Sequence, residues 1–128
     1  MRIADHVRLL VHGLACTVLL GLLAGCNKQA QGVVAQGNPE RGRAALGTYS
    51  CGACHRIPGV SHADGTIGPP LDELGKRVYL AGILANSPEQ LAQWIREPQV
   101  LKPGTGMPNV GVTPADARDM AAYLWQLH

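Results

Sequence analysis

Cys51, Cys54 and His55, in the stretch CGACH, put two thiols and an imidazole within five residues. Three chemistries use that pattern. A zinc site takes Cys and His ligands but needs a second pair at ligand spacing, and Cys26, His62 and His128 do not supply one. A thiol redox switch of the thioredoxin kind places C-x-x-C after a strand in a βαβ unit, a context the flanking sequence lacks. The third chemistry is the covalent attachment of haem, for which C-x-x-C-H is the recurring spacing. Two cysteines about one helical turn apart can each add across one vinyl group on the same porphyrin edge. His55 is then held so that its ring meets the iron from one face.

A six-coordinate haem iron needs a ligand on the other face. Met107, in LKPGTGMPNV, lies in a turn-rich polar segment with Pro103, Gly104, Gly106 and Pro108 and no helical or strand periodicity. A thioether is soft and favours ferrous iron, so Met/His ligation raises the reduction potential. Met120 falls instead on an apolar helical stripe, where methionine serves as core filler.

The elements that must position these groups are signalled by their caps. Asn38 before Pro39 predicts a short helix over 39–50 that runs into CGACH. Ser87, Pro88, Glu89 and Gln90 open a second helix with Leu91, Trp94 and Ile95 on one face, ending near Glu97 because Pro98 disfavours helix in the residue before it. Thr113 and Pro114 open a third, with Asp116 as the acidic partner of a capping box and Ala117, Met120, Ala121, Leu124 and Leu127 as its stripe. IPGV, GTIGPPL and KPGTGMP read as connections. No β-branched alternation predicts a sheet. The chain has no phenylalanine, and its aromatics are two tryptophans and three tyrosines. Such a core is thin, which calls for something else to fill the middle.

The first quarter of the chain has a different character. Arg2 and Arg8 precede the uncharged run LLVHGLACTVLLGLLAG, residues 9–25, as in an export signal. The run is shorter than the roughly 20 residues of a comfortable membrane span. Leu23, Ala24, Gly25 and Cys26 resemble a bacterial lipobox, which implies lipidation of Cys26, with residues 1–25 as a lipoprotein signal peptide. Cys16 would leave with that signal. Residues 26–37 carry Gln, Gly, Ala and Asn without periodicity and read as a flexible membrane tether. Residues 26–128 hold nine Lys or Arg and eight Asp or Glu, so no basic surface argues for nucleic acid. No catalytic triad, paired-carboxylate site, phosphate loop or nucleotide fingerprint occurs.

With these motifs in place, residues 38–128 resemble a class I cytochrome c domain, in particular the one fused to subunit II of some haem-copper oxidases. The resemblance implies an all-α fold of three to four short helices and long loops around one covalently bound haem c. It places Gly42 where the first and last helices cross, with Tyr123 as the aromatic packing there. Leu46 stands where the family usually has phenylalanine. Pro69 in GPPL matches the proline whose carbonyl accepts the axial histidine's other N–H, and Leu71 follows it among the haem-contacting positions. Arg77 matches a residue near the propionates, Trp94 an aromatic on the methionine side, and Met107 the second axial ligand beside His55.

The function this implies is single-electron transfer, not enzymatic turnover, by a carrier lipid-anchored on the periplasmic side of a bacterial membrane. Its partners would be redox proteins: a quinol-oxidising complex or a cytochrome as donor, and a terminal oxidase as acceptor, with no small-molecule substrate. The alternative is a haem enzyme or gas-binding sensor with a labile Met107 ligand, in which His62 is the conspicuous spare histidine.

Overall fold

Three helices begin the same way, with a polar side chain closing the first turn and proline at the first helical position. The computed structural model describes residues 37–128. In it Asn38 Oδ1 accepts from the Arg41 N–H at 2.8 Å and opens α1, Pro39–Thr48. Ser87 Oγ accepts from Gln90 N–H at 3.2 Å and opens α2, Pro88–Arg96. A four-residue helix α3, Pro98–Leu101, follows at once. Thr113 Oγ1 accepts from Asp116 N–H at 3.1 Å and opens α4, Pro114–Leu124. Each cap satisfies an amide that the helix itself leaves unpaired, and proline at this position loses nothing because its missing N–H would have no partner.

Two features depart from the expectations. Pro98 ends α2 as predicted, yet it also starts α3, because Glu97 turns the chain at φ −136° and ψ 48° and a proline is well suited to a new first turn. A small antiparallel hairpin pairs β1, Tyr79–Leu80, with β2, Leu84–Ala85. Its tip has Ala81 at φ 50° and Gly82 at φ 75°, with Ile83 N–H bonded to Leu80 C=O at 3.0 Å. Two successive positive φ angles give the turn a twist that suits paired strands. Strands of two residues carry no alternation for a sequence reading to detect.

The core forms where α4 packs against α1 and α2. Ala117, Met120, Ala121 and Leu124 are buried on α4, Leu46 on α1, and Leu91 and Ile95 on α2. Met120 is thus the core filler its position predicted. An ideal Cβ on Gly42 would lie 1.9 Å from the Asp119 carbonyl oxygen, so only glycine lets α1 and α4 approach so closely. Asp119 is 5% exposed at this crossing. Its carboxylate accepts from Asn38 N–H at 2.6 Å and from Arg41 Nε at 2.7 Å. Tyr49 O–H donates to Asp116 Oδ2 at 2.8 Å and ties the end of α1 to the start of α4.

The expected signal peptide, lipidated Cys26 and all of the expected tether except Gly37 lie outside the described residues. Gly37 packs on the last helix, where an added Cβ would come 2.2 Å from the Arg118 carbonyl oxygen. Among the described residues no helix is long and apolar enough to cross a membrane.

Candidate functional site

After α1 the chain reverses at Ser50, a non-glycine residue at φ 55°, and enters a 3-10 turn over Cys51–Ala53. Cys54 and His55 N–H both bond to the Cys51 carbonyl, at 3.2 and 3.0 Å. The two thiols are therefore fixed about one turn apart, half-buried and free. A second segment is stitched to this turn. Gly65 N–H donates to Gly52 C=O at 3.1 Å, and Gly68 N–H donates to Cys54 C=O at 2.8 Å. Close approach needs bare backbone on both sides: a Cβ on Gly52 would meet Ala63 Cα at 2.5 Å, and one on Gly65 the Ala53 oxygen at 2.6 Å. Burial pushes the Cys51 thiol above its ordinary pKa.

The imidazole of His55 is oriented from behind. Its Nδ1–H donates to the Pro69 carbonyl at 2.8 Å, which leaves the Nε2 lone pair for a metal. Gly68 lies flat against the ring, where an added Cβ would come 2.4 Å from His55 Cε1. The segment carrying Pro69 is itself held. Leu71 N–H donates to Arg56 C=O at 2.9 Å, and the Arg77 guanidinium donates to Pro70 C=O. Arg56 pairs with Asp72 at 3.0 Å, and that hydrogen bond is the main reason the Asp72 carboxyl sits below its ordinary pKa. Leu71 is half-buried against the core. Asn86, not singled out by the sequence, donates through Nδ2 to Leu74 C=O at 2.7 Å and Arg77 C=O at 2.8 Å.

Met107 stands on a separate loop after α3. Thr105 N–H bonds back to Lys102 C=O at 3.1 Å with Pro103 next and Gly104 at φ 79°, the pattern of a type II turn. Lys102 Nζ donates to Ala81 C=O at 3.0 Å, tying the base of this loop to the hairpin tip. Met107 is half-buried, and Trp94 is half-buried at the margin of the α2 stripe. Gln99 bonds the loop backbone at Gly104, Thr105 and Met107, a role with no signal in the sequence. His62 is exposed, at φ 57° on the loop after Val60.

These residues fit a covalently attached haem. Two thiols, one imidazole nitrogen freed by its partner and one thioether form a donor set suited to such a group. Ile67, Val78, Tyr79, Ile83, Val100 and Val110 are large apolar residues left exposed by the polypeptide. They lie on or next to the segments that carry Pro69, Arg77 and Met107, and an apolar macrocycle would give such side chains something to cover.

The family model described as Cytochrome c matches residues 39–128. A cytochrome c oxidase subunit 2 of Alkalihalophilus pseudofirmus is 38% identical over 88 residues, 68% of this chain and 25% of that protein. A protein of the same name from Bacillus sp. strain PS3 is 35% identical over 65 residues, 49% of this chain and 18% of that one. The chain thus spans a quarter or less of the length of these relatives. Cytochrome c2 from Rhodobacter sphaeroides superposes with a TM-score of 0.56 at 24% identity, over 72% of this chain and 97% of that one. SoxXA from P. pantotrophus superposes with a TM-score of 0.54 at 28% identity, over 73% and 83%.

Proposed function

The chain belongs to the cytochrome c family and has the class I cytochrome c fold, with one haem c as its covalent cofactor, and from that premise we propose a membrane-tethered carrier of single electrons. In this reading Cys51 and Cys54 would hold the haem covalently, and His55 Nε2 and the Met107 sulfur would be the protein ligands to its iron. Pro69 and Leu71 would support the haem on the side of His55, while Arg77 would serve the propionates and Trp94 the side of Met107. When bound, the haem supplies one-electron exchange between ferric and ferrous iron. The polypeptide contributes fixed ligands: its backbone locks the CGACH turn, Pro69 C=O holds the His55 proton at Nδ1, and the 102–107 turn presents the sulfur. With His55 and Met107 both serving as protein ligands, the iron would offer no place to a substrate, which would separate a carrier from an enzyme.

The observation that carries this reading is the 2.8 Å bond from His55 Nδ1 to Pro69 C=O inside a C-x-x-C-H turn. The test is the exported protein matured in a host able to attach haem. Its intact mass should include one haem, and Met107→Ala should change the optical spectrum and lower the potential. An unaltered spectrum and potential would remove Met107 from the site.

The finer parts of the reading rest on sequence and relatives. The subunit 2 names of the relatives support a terminal oxidase as acceptor, with a quinol-oxidising complex or another cytochrome as donor. The lipobox supports anchoring through Cys26 on the periplasmic side of a bacterial membrane, where tethering raises the concentration seen by membrane-bound partners. Replacing Cys26 by serine should move the haem protein from the membrane to the soluble fraction. A variant that stays membrane-bound would sink the lipid anchor.

A further inference from the structure

The Met107 loop has no helix or strand to pair its backbone, and most of its external hydrogen bonds come from one residue. Gln99 Nε2 donates to Thr105 C=O at 2.7 Å and to Met107 C=O at 2.8 Å. Its Oε1 accepts from Gly104 N–H at 3.2 Å. Its own N–H reaches Asn109 Oδ1 at 3.4 Å, beyond the methionine. A carboxamide offers two donors and an acceptor on one rigid plane, and all of that capacity is turned on this loop. Gln99 sits in α3, immediately after buried Pro98, so the clamp is mounted on a fixed support.

We propose that Gln99 is the positioning residue for Met107: its carboxamide holds the 104–107 backbone in the one shape that presents the sulfur. The inference rests on the reading of Met107 as the second axial ligand. Without the clamp, Gly104 to Gly106 is a short stretch with two glycines and few restraints, free to swing the sulfur away. A nitrogenous ligand from solution would then compete for the same position.

The test uses the haem-loaded protein with imidazole titrated into the ferric form and amide hydrogen exchange read along the chain. Met107→Ala is the reference for a lost sulfur. Gln99→Leu should bind imidazole about tenfold more tightly than the parent, the effect of losing three carboxamide hydrogen bonds at the low end of their net worth. The Gly104 amide should exchange faster by a similar factor, while α4 amides keep their protection. Gln99→Glu keeps the shape and the acceptor but sets an oxygen against the two carbonyls. It should leave the Gly104 amide protected and still bind imidazole more tightly than the parent. Parent-like imidazole affinity in both Gln99 variants, with Met107→Ala binding much more tightly, overturns the clamp and leaves the ligand in place. A Gln99→Glu variant that behaves as the parent overturns it too, because shape alone would then suffice. If Met107→Ala itself gains no affinity, Met107 is not the ligand and the inference falls with it.

Discussion

At the scale of single residues, the orientation of His55 depends on a carbonyl behind it and on bare backbone beside it. Both come from the same tripeptide, Gly68-Pro69-Pro70. Gly68→Ala should therefore act on the imidazole directly, because its Cβ would fall 2.4 Å from Cε1. Either the ring tilts and stretches its bond to Pro69 or the backbone gives way, at a cost of about 1–3 kcal/mol. The expected outcome is a lowered haem content after maturation and a changed potential in the fraction that loads; an unaltered potential at full haem content would contradict it. The residues proposed to do chemistry stand out in the sequence because their types are rare and their spacing is local: CGACH, GPPL and PGTGMP each draw the eye within a few positions. The residues that hold them do not. Gln99 and Asn86 act through backbone carbonyls several residues away, and Gly68 through a ring 13 positions earlier, so no local pattern marks them.

Elements divide along the same line. The helix starts at Pro39, Pro88 and Pro114 could be read from sequence because a cap and its proline are neighbours in the chain. The hairpin at 79–85 could not, since it is held by Asn86 and a positive-φ tip and not by strand periodicity. The crossing of α1 and α4 offers a paired test within one helix. Gly42→Ala drives a methyl group into the Asp119 carbonyl and should lower stability by about 1–3 kcal/mol. Gly47, five residues on, is exposed, and a Cβ there would have nothing within 4 Å. Gly47→Ala should raise stability by about 0.5–1 kcal/mol through helix propensity alone. Denaturant midpoints of the two holoproteins check both signs, and a neutral Gly42→Ala would show that α1 and α4 can slide apart freely.

For the whole molecule, two balances decide when the fold persists. The first is electrostatic. The hydrogen bond from Arg41 is the main force holding the Asp119 carboxyl below its ordinary pKa, with Asn38 N–H and the Arg118 charge adding to it against the cost of burial. A depressed folded value stabilises the native state above the ordinary carboxylate pKa of about 3.9, and that contribution is lost as pH falls through the folded value. Asp119→Asn should flatten the acid limb of a stability-against-pH curve measured in urea, while costing stability at neutral pH. The second balance is apolar. The buried core contains no phenylalanine, and its largest fully buried side chains are Leu46, Ile57, Met120, Leu124 and Pro98. Outside it Ile67 is 84% exposed, Val78 73% and Val100 68%. Covering a side chain of this kind contributes about 1.5–3 kcal/mol, so covering these three rivals the roughly 5–15 kcal/mol net stability of a small domain. Haem attachment and folding should therefore be one event. A Cys51→Ser, Cys54→Ser chain should show weak helical signal and no cooperative thermal transition, whereas the haem-bearing parent melts cooperatively. A haem-free variant that melts sharply, with helix content like the parent's, would mean that the α1, α2 and α4 core stands without a cofactor to cover those side chains.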